Sequence, residues 1–270
     1  MLSLPNPPKI VKKEGNKAVF ELEALYPGYG ITVGNSLRRV LLSSLEGAGV
    51  TQMKIKGISH EFSTIPGILE DVITVMLNLK QLRFKLLVSE PQKAILKVKG
   101  VKEVKGSDFS LPSQVELVNK NCHIATLTSK SAELEMEIQI EKGTGYSSRD
   151  SRHKEKLEIG TISVDAIFAP IRRVSYKIEN MRVGDRTDFD RLFLEVETDG
   201  TLTPEEAVLQ SCETLIKHFS LFSETLKLKT VAEAKPAAVK KPAAKRKSGP
   251  AKKKPAPQKK VAAKVKKSKK

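Results

Sequence analysis

The stretch that decides the fold is GITVGNSLRRVLLSSL, residues 30–45. Its side chains repeat at spacings of three and four, which predicts an amphipathic helix with one face in a core. That stripe consists of Leu37, Val40, Leu41, Ser44 and Leu45. Thr32 or Asn35 is predicted to cap the helix start, because a short polar side chain accepts a hydrogen bond from a free N–H of the first turn. Arg38, Arg39 and Leu42 occupy the opposite face. This composition suits a protein interface, although periodicity alone favours a solvated surface.

Charge is divided unevenly along the chain. The 270 residues carry a net charge of +17, and residues 231–270 hold 16 of the 48 Lys and Arg but one of the 31 acidic residues. The first 230 residues are left with 32 basic and 30 acidic side chains, which argues against a folded surface built as a whole to bind nucleic acid. The tail of Lys, Ala and Pro has no aliphatic core and is predicted to be disordered.

Short alternating segments predict that strands dominate the middle of the chain. Lys17–Ala24 and VTQMKIKGI are predicted strands, followed by RFKLLV, AILKVKG, VELV, HIATLT and ELEMEIQIEKG. A helix is predicted from Ile68 to Leu79, ending at Lys80. Its stripe consists of Leu69, Val72, Ile73, Met76 and Leu79. Residues 147–156 break the pattern and are predicted to form a mobile loop.

The last part of the folded region combines long strands with a long helix. ISVDAIF, RRVSYKIEN and RLFLEVET are predicted strands. Thr203-Pro204-Glu205-Glu206 is typical of a helix start, with Pro at the first position and Glu at the third. The apolar stripe behind it is suited either to the protein's own core or to a second copy. It consists of Val208, Cys212, Leu215, Phe219, Phe222 and Leu226.

The order of these elements predicts an α+β fold in which one module is inserted into another. Residues 1–49 and 159–230, with strands and two long helices, are predicted to form a discontinuous shell. Residues 50–158 are predicted to form an inserted strand-rich αβ module, and residues 231–270 the tail. The two connections to an inserted module lie close together. Gly47–Gly49 and residues 147–156 are therefore the predicted crossing points.

No set of residues predicts a catalytic centre, a metal site or a cofactor. Asp185, Asp188 and Asp190 come nearest to a magnesium site, but the arginines between them favour local salt bridges. The four histidines lack metal-ligand spacing. Cys122 and Cys212 are predicted to be lone thiols in a reducing cytoplasm. No apolar run approaches the ~20 residues that cross a bilayer, and no export signal is visible.

Several motifs resemble, in order and spacing, the N-terminal assembly domain of the bacterial RNA polymerase alpha subunit. They are GITVGNSLRRVLLSS, ISHEFST, LEDVITVMLNLK, GTGY and RVGDRTDFDRLFLEVETDGTLTPEEA, and the match runs from about Pro8 to about Leu228. The resemblance implies a dimerisation shell with an inserted αβ module. It also implies a non-catalytic subunit of a nucleotidyltransferase complex. Such a subunit forms a homodimer and nucleates assembly of the beta and beta-prime subunits for DNA-templated transcription, together with omega and sigma.

The resemblance assigns contacts with the beta and beta-prime subunits to both predicted helices and to the stretch between them. These residues are Arg38, Arg39, Leu42, His60, Phe62, Ser63, Thr64, Asn78 and Lys80. Without the resemblance, His60 is equally typical of a half-buried, hydrogen-bonded histidine, and Lys80 of a cation at the negative end of a helix dipole. The resemblance also favours a second copy on the shell helices. The expected dimer interface consists of Leu37, Val40, Leu41, Val208, Cys212, Leu215, Phe219 and Phe222.

The tail departs from the family, whose usual C-terminal domain recognises promoter DNA and activators. Its lysines are predicted to bind nucleic acid non-specifically by neutralising phosphates and releasing counterions. A solubilising or RNA-binding appendage is the alternative. The residues predicted to bind are Lys245, Arg246, Lys247, Lys252, Lys253 and Lys254.

Two other classes of protein fit part of the sequence. A free-standing histone-like DNA-binding protein would depend on the tail, and the nearly neutral first 230 residues argue against it. An independent enzyme would need catalytic residues that the sequence does not bring together. For a polymerase subunit, the expected location is the bacterial cytoplasm, in association with the nucleoid and without a membrane anchor.

Overall fold

The computed structural model describes residues 4–152, Glu158 and residues 160–233, with side chains up to Leu226. The chain divides into two units, Met1–Glu224 and Thr225–Lys270, and only the end of a helix is described for the second. That helix ends at Glu233, so three positions of the predicted tail are helical and the rest lie outside the described residues. Within the described part, no helix combines the length and the apolar character needed to span a membrane.

Strands outnumber α-helices along the described chain, and most of them follow one another directly. The helices are α1 (Tyr29–Ser43), α2 (Val72–Leu79), α3 (Arg149–Arg152) and α4 (Pro204–Glu233). The strands are β1 (Lys9–Glu14), β2 (Lys17–Leu25), β3 (Glu46–Ile55), β4 (Phe84–Leu86), β5 (Gln92–Lys99), β6 (Lys102–Lys105), β7 (Phe109–Ser110), β8 (Val115–Leu117), β9 (His123–Leu127), β10 (Glu133–Thr144), β11 (Tyr146–Ser147), β12 (Thr161–Ser163), β13 (Ala166–Ile167), β14 (Ile171–Val183) and β15 (Arg186–Thr198). The predicted α+β class is confirmed, and each predicted strand segment contains a strand, although ISVDAIF is divided between β12 and β13.

The first sheet joins the two ends of the folded chain. Its order is β1-β2-β15-β14, and all neighbours are antiparallel. In the β2–β15 ladder, Phe20 lies opposite Leu194 and Ala18 opposite Val196, so inward-facing side chains meet in pairs across the sheet. Side chains of α1 and of the first turns of α4 complete this core. They include Leu37, Leu41 and Ala207, and Leu45, which follows α1, packs beside them.

The second sheet has its own core. Its order is β7-β5-β10-β3-β4-β8, and β12 also pairs with β3. The predicted alternation of β10 is confirmed, since Leu134, Met136, Ile138 and Ile140 are all buried. Val75 and Leu79 of α2 pack into the same core. Two small ladders, β6–β9 and β11–β13, complete the described strands.

α2 is shorter than predicted. It begins at Val72 because the Asp71 side chain caps it, accepting the Thr74 N–H at 2.8 Å. Thr64 and Asp71 form an isolated antiparallel bridge, so residues 65–70 form a loop rather than a first helical turn. Leu69, predicted to lie in the apolar stripe, is exposed as a result.

The two sheets are connected where Gly47 meets Phe168. Gly47 and Gly49 lie inside β3 rather than in a linker. A Cβ atom at Gly47 would lie 1.8 Å from the Phe168 carbonyl oxygen, so only glycine permits this approach. The segment against Gly47 is therefore residues 168–170, not the predicted stretch 147–156. That stretch instead contributes the end of β11 and all of α3, with residues 153–156 outside the described part.

Candidate functional site

The outer face of α1 presents two guanidinium groups and an apolar side chain to solvent. Arg38, Arg39 and Leu42 are all exposed and together form what we name the α1 surface. Arg38 Nη2 donates to Asn35 Oδ1 at 3.3 Å, and its guanidinium lies 5.8 Å from the centre of the Tyr176 ring. The structure thus brings these three predicted residues together on a rigid element, with donors that a partner can reach.

The inner face of α1 is filled by the protomer itself. Leu41 is 0% exposed and Leu37 is buried beside it. A Cβ atom at Gly34 would lie 2.9 Å from Leu192 Cδ1 and 2.9 Å from Tyr176 Cδ2, so the helix packs directly onto β14 and β15. The expectation that Leu37 and Leu41 line a dimer interface is corrected, because a second copy cannot reach them. Val40 is only half-buried and stays available.

The start of α1 is capped by a residue from a distant strand. The helix follows Gly28, whose φ of 84° lies in the left-handed region. Asp190 Oδ2, on β15, accepts the N–H of Gly28 at 2.9 Å and that of Gly30 at 3.0 Å. The predicted caps Thr32 and Asn35 lie inside the helix instead. A carboxylate at the positive end of the helix dipole stabilises this first turn and fixes the direction of α1.

The three aspartates at and after the turn between β14 and β15 make different contacts. Arg186 Nη2 lies 2.6 Å from Asp188 Oδ2 and holds the pKa of that carboxyl below its usual range. The local salt bridge predicted here is thus found at Asp188, whereas Asp190 binds backbone N–H groups and Asp185 is exposed. Within the described ranges, no three His, Cys, Asp or Glu side chains are placed to hold a metal ion.

The stretch His60–Thr64 forms a second exposed surface, before α2. Phe62 is 76% exposed, although a phenylalanine is usually buried. His60 is exposed rather than half-buried, and its Nδ1 lies 3.0 Å from Ser63 Oγ. The Ser63 carbonyl accepts the Val72 N–H at 3.3 Å, which attaches the stretch to α2. We name His60, Phe62, Ser63 and Thr64 the loop surface.

The two predicted residues at the end of α2 are engaged within the protomer. Asn78 Nδ2 donates to the Ile124 carbonyl at 3.0 Å and so attaches α2 to β9. Lys80 Nζ donates to Asp165 Oδ2 at 3.1 Å. The Arg149 backbone N–H and, more weakly, the Lys80 ammonium lower the pKa of Asp165, against an opposing effect of burial. Both residues therefore attach the end of α2 to neighbouring segments, and the Lys80 side chain is only partly accessible to a partner.

Sequence reasoning missed the residues that surround the loop surface. Arg149 of α3 donates through Nη1 to Glu61 Oε1 at 2.8 Å, and its backbone N–H donates to Asp165 Oδ1 at 2.9 Å. A cavity of about 320 Å³ lies between Arg149, Phe62 and β12. These residues are far apart in sequence and carry no motif. Only their charge types could have suggested a pairing, without indicating which partners meet.

The stripe of α4 divides between two environments. Val208, Cys212 and Leu215 are half-buried against the first sheet's core, and burial raises the pKa of the Cys212 thiol. Phe219 and Phe222 are 65% and 68% exposed.

The start of α4 has the predicted capping box. The Thr203 N–H donates to Glu206 Oε2 at 3.0 Å, and the Glu206 N–H donates to Thr203 Oγ1 at 3.3 Å.

Taken together, the two sheets and the exposed faces of α1 and α4 define an α+β protein whose rigid elements carry outward-facing arginine and apolar side chains. The family model described as "RNA polymerase Rpb3/RpoA insert domain" matches residues 53–169. The chain is 44% identical over 229 residues to the DNA-directed RNA polymerase subunit alpha of Porphyromonas gingivalis, spanning 83% of this chain and 69% of that protein.

Other relatives with the same name give similar values. Identity is 42% over 229 residues with the protein of Roseiflexus sp., spanning 85% of this chain and 70% of the relative. It is 44% over 230 residues with that of Deinococcus radiodurans, spanning 84% and 67%. The chain belongs to the family of DNA-directed RNA polymerase alpha subunits, as its motifs predicted.

Proposed function

We propose that the chain is a non-catalytic subunit on which a DNA-directed RNA polymerase is assembled. Two copies pair, and each presents its α1 surface and loop surface to one large subunit, beta or beta-prime, in a complex that also contains omega and sigma. The observation that carries the proposal is the division of α1. Its apolar face is buried in the protomer while Arg38, Arg39 and Leu42 point outward. Forked donors beside an apolar anchor are typical of interface hot spots.

Pairing of two copies is proposed to use the outer part of α4. Phe219 and Phe222 present large aromatic side chains to solvent, at a cost that burial against a second copy would remove. Val208, Cys212 and Leu215 continue the same stripe into the protomer's core, and Val40 lies at the edge of α1. These six residues remain the proposed interface after Leu37 and Leu41 are set aside.

The non-catalytic character of the chain is supported by the positions of its aspartates. Nucleotidyl transfer needs carboxylates that hold magnesium ions together. Asp188 is paired with Arg186, and Asp190 accepts two backbone N–H groups at the start of α1. Both carboxylates therefore have structural partners, and we assign the chemistry of the complex to its other subunits.

We propose that the folded chain divides into a shell and an inserted module, for which the sequence predicts residues 1–49 with 159–230 and residues 50–158. The presence of two separate cores supports this division. The inserted core extends to Val164 and the shell core resumes at Ile171. A second boundary near residue 169, where the family match ends, therefore fits better than the predicted 158/159.

The basic tail is proposed to hold nucleic acid without sequence preference. Its predicted binding residues lie outside the described part of the chain, so composition and charge alone support the proposal. Deletion of residues 231–270 should lower DNA affinity at low salt, and equal affinity would contradict it. Stronger retention of RNA than of DNA would instead favour the RNA-binding alternative. As part of a transcription complex, the protein is expected in the cytoplasm, near the nucleoid.

Sedimentation of the full chain, alone and mixed with the beta subunit, tests the assembly proposal. A dimer that binds beta is the expected result. A monomer that ignores both large subunits would contradict the proposal, and a chain that binds DNA but not beta would favour the histone-like alternative. The proteins are freed of DNA beforehand, so that DNA held by the basic tail does not contribute to the apparent binding of beta.

A further inference from the structure

Arg83 and Asp199 form an ion pair that joins the two parts of the protomer. Arg83 follows α2, between two core residues of the second sheet, and Asp199 follows β15 of the first sheet. Arg83 Nε lies 3.3 Å from Asp199 Oδ2, and the two side chains are 20% and 4% exposed. Because this pair is largely shielded from water, removing one partner would leave an uncompensated charge and cost more than at a surface pair.

Both charged groups are also tied to their own surroundings. Arg83 Nη1 donates to the carbonyls of Lys80 at 2.8 Å and Leu82 at 3.1 Å. Asp199 Oδ1 accepts from the backbone N–H of Thr201 at 3.0 Å and from its hydroxyl at 2.6 Å. The guanidinium is therefore fixed to the end of α2, and the carboxylate to the turn that precedes α4. The pair links the element behind the loop surface to the start of the proposed dimer helix.

The turn that carries Asp199 is packed on both sides. A Cβ atom at Gly200 would lie 2.9 Å from Asn16 Nδ2 and 3.2 Å from Val118 Cγ1. Asn16 belongs to the turn between β1 and β2, whereas Val118 follows β8 of the second sheet and donates its N–H to the Arg83 carbonyl at 2.9 Å. The ion pair thus lies within a closed contact between the two parts.

We propose that Arg83 is a positioning residue for partner capture. Through Asp199 it fixes the orientation of the loop surface relative to the α1 surface. The inference rests on the proposed function, because it requires one large partner to contact both surfaces of a protomer. Arg83 contributes by geometry and need not touch that partner.

The physical basis is the gain from two linked contacts. Once a partner has bound one surface, binding at the other is intramolecular, and its strength depends on an effective concentration set by geometry. If the two parts of the protomer move freely, every contact residue is kept. The second surface is then correctly oriented for a smaller fraction of the time, so its effective concentration falls. Affinity then falls although neither surface has changed.

The test uses the full chain with both charges removed together. In Arg83→Met/Asp199→Asn, neither charge is left buried alone, and the asparagine keeps an oxygen for Thr201. The matched control is Lys93→Met/Glu137→Gln, which removes a 2.7 Å ion pair within the second sheet. Spin labels are attached to unnatural amino acids that replace Lys99 and Lys177, one on each sheet, so that Cys122 and Cys212 stay in place.

The expected result combines distance and affinity. The double variant should stay dimeric, broaden the distribution of label-to-label distances, and bind beta about tenfold more weakly, a typical size for coupling between sites. The control should change neither. An unchanged distance distribution, or a broadened one with unchanged affinity, would overturn the inference.

A second variant covers the case in which the double variant does not fold. Arg83→Lys keeps the charge but loses the fork that reaches Lys80 and Leu82. It should broaden the distances and weaken binding to a smaller extent, and wild-type values for both would overturn the inference. If the unsubstituted chain fails to bind beta, the proposed function fails and the inference with it. If it binds and all variants bind equally well, only the inference fails.

Discussion

Asp190 Oδ2 accepts the backbone N–H of Gly30 at 3.0 Å, which joins β15 to the first turn of α1 across 160 residues of sequence. The same oxygen accepts the N–H of Gly28 at 2.9 Å. One carboxylate thereby satisfies two N–H groups at the helix start, where helical N–H groups have no partner within the helix. The direction of the arginine-bearing helix depends on a strand from the opposite end of the folded chain.

Asp190→Ala should destabilise the protein by about 1–2 kcal/mol, the usual range for loss of a helix cap. The two N–H groups lose their acceptor in a buried site, which makes the upper end of the range the expectation. Chemical denaturation at fixed protein concentration measures the change. Asp185→Ala is the control, because Asp185 is exposed in the same hairpin. Equal stability of the two variants would contradict the capping role.

Gly47→Ala should destabilise the protein by about 2 kcal/mol or more, at the upper end of overpacking effects. The added Cβ would stand 1.8 Å from a backbone carbonyl oxygen, and backbone on both sides must shift to relieve the contact. Thermal unfolding provides the measurement. Glu46→Ala, at the exposed neighbouring residue, is the control. A Gly47→Ala protein as stable as this control would contradict the close packing of Gly47 against Phe168.

Arg39→Ala should weaken binding of the beta subunit by about 2 kcal/mol or more, as expected for a hot-spot arginine, while the dimer stays intact. The side chain points away from the protomer's core, so folding should be unaffected. Titration of labelled beta against the full chain measures the loss. Arg182→Ala, an exposed arginine at the end of β14, should bind normally. Undiminished capture by the Arg39 variant would count against the α1 surface.

Phe219→Ala and Phe222→Ala should each weaken dimerisation at least tenfold, since large aromatic side chains dominate interfaces when buried. Sedimentation equilibrium over a range of concentrations gives the dissociation constant. Lys217→Ala, on the same helix and exposed, is the matched control. Dimers of wild-type strength in both phenylalanine variants would move the interface elsewhere.

Protonation of Glu135 at low pH is expected to destabilise the second sheet. Lys56 at 2.8 Å and Lys97 at 2.6 Å flank its carboxylate and lower its pKa from 4.5 to about 2. Because the folded pKa lies below the unfolded one, the stabilisation is complete above pH 4.5 and is lost as the pH falls towards 2. A carbon-13 NMR titration should show a midpoint near 2, shifted upward in Lys56→Met. An identical midpoint in that variant would contradict the pairing.

Much of the fold followed from local patterns. Strict alternation predicted β10, and the capping box at Thr203 predicted the start of α4, because each depends on neighbours in sequence. The arginines of α1 were placed correctly for the same reason, since helical period alone separates them from Leu41.

Most errors arose where distant residues decide the outcome, and the one at α2 also involves a cap adjacent in sequence. The α1 cap comes from Asp190, and no spacing rule connects that residue to Gly30. α2 starts at Val72 because Asp71 caps it and Thr64 pairs with Asp71, which overrides an apolar pattern that begins at Ile68. The partners of Lys80 were missed likewise, since a charge indicates that a pairing exists but not with which residue.

The origin of the α1 cap also sets an order of events on the ribosome. α1 is synthesised early, yet both its cap and the strand that completes its sheet come from Arg186–Thr198. The second sheet, built within residues 46–163, needs no later strand among the described elements and can fold as it emerges. The arginine-bearing face is therefore set in place only after β15 has left the ribosome, and a polymerase subunit that arrives earlier finds no finished surface to bind.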